Sequence, residues 1–217
     1  MNEFTTELIN RLNYVGLEND YYKFFEDTAK LLMNKFVIRT AKTDYEIIDV
    51  EFYLFDKDNH RDIITYPRIM DAGRWFFHDS GVDLTFASRH NRFGGILIRA
   101  IRTTDGKKVI IGPHNCVYEL WHDFDAFALQ SSEYPVLIPV DTTNDCMPDS
   151  YIRKITVKES EYHAKVLYWI DKNSKRAKDQ AGDNPEYGLI EYDKPDINCA
   201  ELAELVIKSK YHFKKRL

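Results

Sequence analysis

The chain has 217 residues, 44% of them hydrophobic and 14% aromatic, enough to bury a substantial core as one large domain or two small ones. A formal net charge of −5 excludes a surface that binds polyanions all over, because nucleic-acid domains usually carry a basic excess. The three cysteines, Cys116, Cys146 and Cys199, are far apart, odd in number and form no CxxC pair, so they suggest neither a disulfide framework nor a cysteine zinc site. No run approaches the about 20 apolar residues of a membrane span, and the opening residues lack a basic segment followed by an apolar one. A reducing cytoplasm is the expected setting, with no membrane partner.

In chain order, Phe4, Leu8, Ile9 and Leu12, then Tyr22, Phe24, Phe25, Ala29, Leu31, Leu32 and Phe36, recur at helical spacing and predict two opening helices within residues 1–36. From Tyr45 to Phe55 the chain is rich in β-branched and aromatic residues. Alternation puts Ile47, Asp49, Glu51 and Tyr53 on one face of a strand and Ile48, Val50, Phe52 and Leu54 on the other. Further strands are predicted over 74–78, 82–87, 94–102 and 107–111, with turns at Gly81, Asn91 and Asp105-Gly106. Gly112-Pro113 then opens a helix carrying Cys116, Val117, Leu120 and Trp121. Residues 131–157, with Pro135, Pro139 and Pro148, read as an irregular excursion holding one short strand at 136–140. Two late helices are predicted, at about 158–171 and 199–210. With no repeat or linker, the expectation is one α+β domain over 1–217. In it a curved, mainly antiparallel sheet and the site occupy 45–121, and an irregular region with C-terminal helices occupies 131–217.

Several chemistries are struck out by motif. There is no GxxxxGK[ST], GxGxxG after a strand, HExxH or GxSxG. Asp56-Lys57-Asp58-Asn59-His60 fails as a calcium loop, since Arg61 stands where glycine is needed and Pro67 where the bidentate glutamate is needed. His60, His78 and His90 with Asp58, Asp62 and Asp79 are ligand types that suit zinc, iron or manganese, but their spacing does not support a site. Neither metal nor cofactor is expected.

Glu51 is the sharper candidate. A carboxylate amid Phe52, Tyr53, Phe76 and Phe77 is partly desolvated, which suits a group that holds or exchanges a proton, whereas a solvent-facing Glu on an edge strand would do neither. Two basic clusters, 89–108 and 208–216, read first as solvated faces or a tail. If Arg74, Arg89, Arg92, Arg99 and Arg102 converge on Glu51, a nucleic acid is indicated; if acids surround it, a small neutral ligand is.

The run Ile47-Ile48-Asp49-Val50-Glu51-Phe52-Tyr53-Leu54 followed by His60 resembles the strand and loop of the alkyladenine (3-methylpurine) DNA glycosylases. Their motif is glutamate, a small residue, tyrosine and a later histidine. Gly73-Arg74-Trp75-Phe76-Phe77-His78 is similar to that family's glycine before an aromatic strand. Gly95-Ile96-Leu97-Ile98-Arg99-Ala100-Ile101 resembles its apolar strand ending in arginine, and Ile111-Gly112-Pro113 its helix start. The resemblance covers residues 46–121 in order. It implies a curved antiparallel sheet flanked by helices, and hydrolysis of the N-glycosidic bond of a damaged purine flipped out of DNA. Carried over, Glu51 would act on the attacking water, Tyr53, His60, Phe76 and His78 would form the base pocket, and Arg99 would make a polar contact near the flipped nucleotide. Around Asp79-Ser80-Gly81, where the family has an aromatic wedge, this chain has small or acidic residues, which disfavours duplex flipping. Two readings stand beside the glycosylase. One is a non-catalytic protein that binds a nucleobase, nucleoside or single-stranded nucleic acid on the same scaffold. The other is a metal-dependent hydrolase built on the histidines.

Overall fold

The computed structural model describes residues 2–13, 20–56, 59–62, 65–66, 68–89, 92–122, 134–141, 146–151 and 211–215. Helices α1 (Glu3–Asn13) and α2 (Tyr21–Lys35) open the chain as their periodicity predicts. Asp20 caps α2, its carboxylate accepting from the Lys23 amide at 3.0 Å and so satisfying one of the donors a helix start leaves without a partner. The helix ends at Lys35, one residue before the expected Phe36. The β-branched pair Val37-Ile38 favours extended backbone, and the chain passes directly into strand β1 (Phe36–Arg39).

The remaining elements are β2 (Asp44–Asp56), β3 (His60–Arg61), β4 (Trp75–His78), β5 (Gly81–Thr85), β6 (Arg92–Thr103), β7 (Val109–Ile111), helix α3 (Pro113–Trp121), β8 (Val136–Pro139), β9 (Asp149–Tyr151) and β10 (His212–Lys214). All ten strands join one antiparallel sheet with the backbone order β4-β5-β6-β2-β1-β8. The result is the α+β fold with a curled sheet and flanking helices that the sequence predicts. Strands β1, β3, β9 and β10 were not foreseen, and the two late helices expected at about 158–171 and 199–210 lie outside the described residues.

Strand β2 is the spine. β6 runs along one edge from Tyr45 to Asp56, while β1, β10 and β3 succeed one another along the other edge, opposite Asp44–Glu46, Asp49–Glu51 and Phe55–Asp56. The β2–β6 ladder shifts register between Ile47 and Val50, leaving Ile48 and Arg99 outside the paired positions, so the strict alternation expected from Ile47 onward holds only from Asp49. Two glycines of β6 permit close approaches, Gly94 to β2 and Gly95 to Arg68 and β5. A Cβ at Gly94 would lie 2.2 Å from the Tyr53 carbonyl oxygen, and one at Gly95 would lie 2.9 Å from the Arg68 guanidinium.

The core lies between the helices and the Val50-Phe52-Leu54 face of β2. Phe52 stacks on Phe25 of α2 with ring centroids 4.7 Å apart and meets Phe213 of β10 edge-on at 5.5 Å. Helix and C-terminal strand thus converge on one ring, which is fully buried. Phe52→Ala is expected to cost about 3–5 kcal/mol of unfolding free energy, a truncation its neighbours on three elements cannot refill. Urea denaturation measures it, and a loss below about 1 kcal/mol would place the packing centre elsewhere.

Candidate functional site

The opposite face of the sheet is polar, and the register explains why its groups gather. Residues paired across an antiparallel ladder share a face. Tyr151, His212, Glu51, Leu97, Asp83 and Phe76 are paired in succession across β9, β10, β2, β6, β5 and β4, so they form one row. Adjacent strands lie about 4.8 Å apart, which puts Glu51 and Asp83 on the order of 10 Å from each other along that row.

The first cluster surrounds Glu51, which is 4% exposed. Its Oε1 accepts from the Tyr53 hydroxyl at 2.8 Å, and its Oε2 accepts from Arg99 Nη1. Arg99 Nε also lies 3.7 Å from Asp49 Oδ1, an ion pair beyond hydrogen-bond reach. His212 Nε2 lies 2.5 Å from the same Asp49 oxygen, and the His212 ring lies 5.6 Å from that of Tyr151. Burial, with the Asp49 charge second, pushes the nearby Cys116 thiol up to about 12, so it is inert as a nucleophile at neutral pH.

The second cluster surrounds Asp83. Arg68 Nη1 donates to its Oδ2 at 2.5 Å, and His78 Nε2 lies 3.0 Å from its Oδ1. Both Arg68 and Asp83 are 1% exposed. The guanidinium also donates from Nε to the Tyr66 carbonyl at 3.0 Å and lies 4.1 Å above the Phe76 ring. Its Nη2 is buried and has no hydrogen-bond partner among the described residues. His78 stacks on Phe76 at 5.8 Å and lies 4.6 Å from the Tyr66 ring. Burial alone would raise the Asp83 pKa. The Arg68 charge and the His78 hydrogen bond outweigh it and hold the carboxyl below its ordinary 3.8.

Of the residues the sequence singles out, Glu51 touches both Tyr53 and Arg99, and Phe76 and His78 stand on the same face, three strands from β2. His60 does not join them. It lies against Tyr21 and Phe25 of α2, at ring separations of 4.8 and 6.0 Å, and Phe25 stacks on Phe52, so the histidine occupies the core face. Its ring nitrogens contact the Leu54 carbonyl at 2.8 Å and the Tyr211 hydroxyl. The pocket role expected of His60 is replaced by a structural one, because β3 folds back on β2 with His60 opposite Asp56, in phase with Phe52 and Leu54.

Sequence reasoning missed Arg68, Tyr66 and His212. Arg68 follows a turn and has no periodicity to mark it. His212 sits in Tyr211-His212-Phe213-Lys214, an aromatic/polar alternation that the basic-cluster reading concealed. The five arginines whose convergence would indicate a nucleic acid do not converge on Glu51. Arg74 pairs with Asp71, Arg92 with Asp56 and Arg102 with Glu46, Arg89 donates to the Ser88 carbonyl, and only Arg99 reaches Glu51. Among the described residues no three His, Cys, Asp or Glu side chains converge as a metal site, and no helix is long and apolar enough to cross a membrane. His90 and Asp58 lie outside the described residues.

No family model matches the chain, and no solved structure matches it. It is similar to an uncharacterized protein of Acanthamoeba polyphaga mimivirus, with 25% identity over 143 residues, spanning 54% of this chain and 64% of that protein.

The Asp83 shift fixes a pH dependence. A carboxyl whose folded pKa is lowered contributes stability that is complete above its unfolded value and is lost as pH falls through the folded one. Urea denaturation between pH 7 and pH 2 should therefore show stability declining below about pH 4. Asp83→Asn should lower stability at neutral pH by about 3–5 kcal/mol, because Arg68 is left buried without its counter-ion, and should flatten that acid limb. An unchanged limb in the variant would assign the acid sensitivity to other carboxylates.

Proposed function

We infer that the polar face is a nucleobase site and that the chain is an N-glycosidase, hydrolysing the bond between a damaged purine and its sugar with Glu51 at the reacting carbon. The reading rests on one arrangement: a buried carboxylate clamped by Tyr53 and Arg99, on the same sheet face as Phe76 and His78 three strands away. Departure of a purine leaves positive charge on the sugar, and a fixed carboxylate stabilises that charge while holding the attacking water. An oxygen that already accepts from a guanidinium or a phenol is restrained in position, which favours this electrostatic and orienting work over free proton abstraction. Phe76, His78 and Tyr66 form an aromatic cluster on the same face, three strands from Glu51.

A second reading, a non-catalytic binder of a nucleobase, nucleoside or single strand, is favoured by the arginines. Four of the five that would make a phosphate rim are engaged elsewhere, and affinity for a duplex comes from neutralised phosphates. The same feature makes a single-stranded substrate the better one for the enzyme.

Single-turnover incubation with oligonucleotides containing 3-methyladenine, ethenoadenine or hypoxanthine, single-stranded and duplex, followed by alkaline cleavage at abasic sites, tests the reading. Strand breaks are expected with the single strand preferred, and Glu51→Gln should reduce them by about 10²–10⁴-fold while the circular dichroism melt persists. Base release undiminished in Glu51→Gln would remove Glu51 from the mechanism. Binding of bases with no release would move the assignment to the binder.

A further inference from the structure

The sheet ends at β4 in an edge without the devices that ordinarily protect one. β4 pairs with β5 from Trp75 to His78 without a bulge, and among the described residues no strand lies along its other side. Its four residues include no proline, lysine or acid, the residues that usually blunt an edge. The Arg74 amide donates to Thr85 Oγ1 at 2.9 Å and the Arg74 carbonyl accepts from the Thr85 amide at 2.9 Å, so both turn inward to β5. The direction of these groups alternates along a strand, which leaves the amides and carbonyls of Trp75 and Phe77 on the outer edge. Phe77 meets Trp121 of α3 edge-on at 4.9 Å and is still 50% exposed. Backbone groups open to a partner therefore stand beside an aromatic ring that pairing would cover.

We propose that β4 pairs antiparallel with β4 of a second copy of this chain, joining two sheets into one. Symmetry and hydrogen bonding fix the register. Directly opposed residues of an antiparallel pair share a face, and a two-fold axis perpendicular to the sheet keeps each face on its own side, so the axis passes through a residue position. The outward groups of Trp75 and Phe77 exchange hydrogen bonds when Trp75 stands opposite Phe77 of the second copy, which puts the axis at Phe76. Trp75 and Phe77 both meet Trp121, so the two Trp75–Phe77 pairs lie on the α3 face, where each covers an exposed Phe77 ring. The same register sets Arg74 opposite His78 of the second copy, one residue from its Asp79. Asp79 is exposed, and the Arg74 side chain, 65% exposed, meets Asp71 only at 3.6 Å, beyond hydrogen-bond reach. Two Arg74–Asp79 pairs then close the ends of the interface. A strand from another protein would satisfy the backbone alike. The agreement of aromatic pairs and opposite charges in one symmetric register selects a second copy.

Sedimentation velocity of the full chain at about 1 to about 100 μM tests the pairing. The weight-average mass should rise with concentration from the 25.6 kDa of one chain toward twice that value. Phe77→Lys, a charge placed at a half-exposed edge position, should hold the chain monomeric across this range while its circular dichroism melt persists. Asp79→Arg opposes Arg74 across the axis and should weaken the dimer about tenfold. The double variant Arg74→Asp/Asp79→Arg restores opposite charges and should return the dissociation constant to within about threefold of the unmodified chain's. An unmodified chain that stays monomeric at every concentration overturns the proposal and leaves the edge to a strand of another protein. A dimer that survives Phe77→Lys, or one that Asp79→Arg weakens and the double variant does not restore, overturns it as well.

Discussion

Pairing of buried carboxylate with guanidinium governs the polar face of this sheet. Asp83 and Glu51 lie in one row with little access to water, and each is answered by an arginine from another segment, Arg68 and Arg99 respectively. An uncompensated charge at either place would cost several kcal/mol, so the neighbouring residues are constrained to deliver the partner. Gly95 lacks a side chain where the Arg68 guanidinium must lie, and the register shift between β2 and β6 falls at Arg99, where it brings that residue within reach of both Glu51 and Asp49. Phe76 is in turn covered by the Arg68 guanidinium, so an aromatic wall and an ion pair are placed by the same contact.

What the sequence discloses is what local periodicity controls. The alternation from Asp49 to Leu54 separates a core face from a polar face, and the structure keeps that separation, with Phe52 against Phe25 and Glu51 against Arg99. The antiparallel meander from Trp75 to Ile111 and the helix after Gly112-Pro113 follow from strand composition and turn residues in the same way. Long-range pairing is not written in local pattern. Strand β10 is three residues long and belongs to the sheet only through β2 and β9, so its charged neighbours dominate a reading by composition. His60 shows the complementary failure. Its distance from Tyr53 along the chain suits a shared pocket, but the side chain emerges in phase with Phe52 and is engaged by Leu54 and Tyr211. Arg68 carried no signal because an arginine after a turn ordinarily faces water.

The arginines also bear on scale. Each of Arg74, Arg92 and Arg102 has its own carboxylate, which spends basic charge on local structure. The face around Glu51 presents carboxylates Asp49, Glu51 and Asp83 against Arg68, Arg99 and, across the ladder from Asp49, Lys214.

The last described strand, β10, contributes to both faces of the sheet at once. Phe213 packs on Phe52 at the core face while its neighbour His212 reaches Asp49 at the polar face, so one three-residue strand completes the core and the polar cluster together. Successive side chains of a strand point to opposite faces, and a slip of one residue in β10 would put His212 into the core and Phe213 against Asp49. Burial of Phe213 is therefore what fixes the register of His212. The apolar half of the strand supplies the energy that holds the polar half in position, at a distance in sequence that no local pattern could specify.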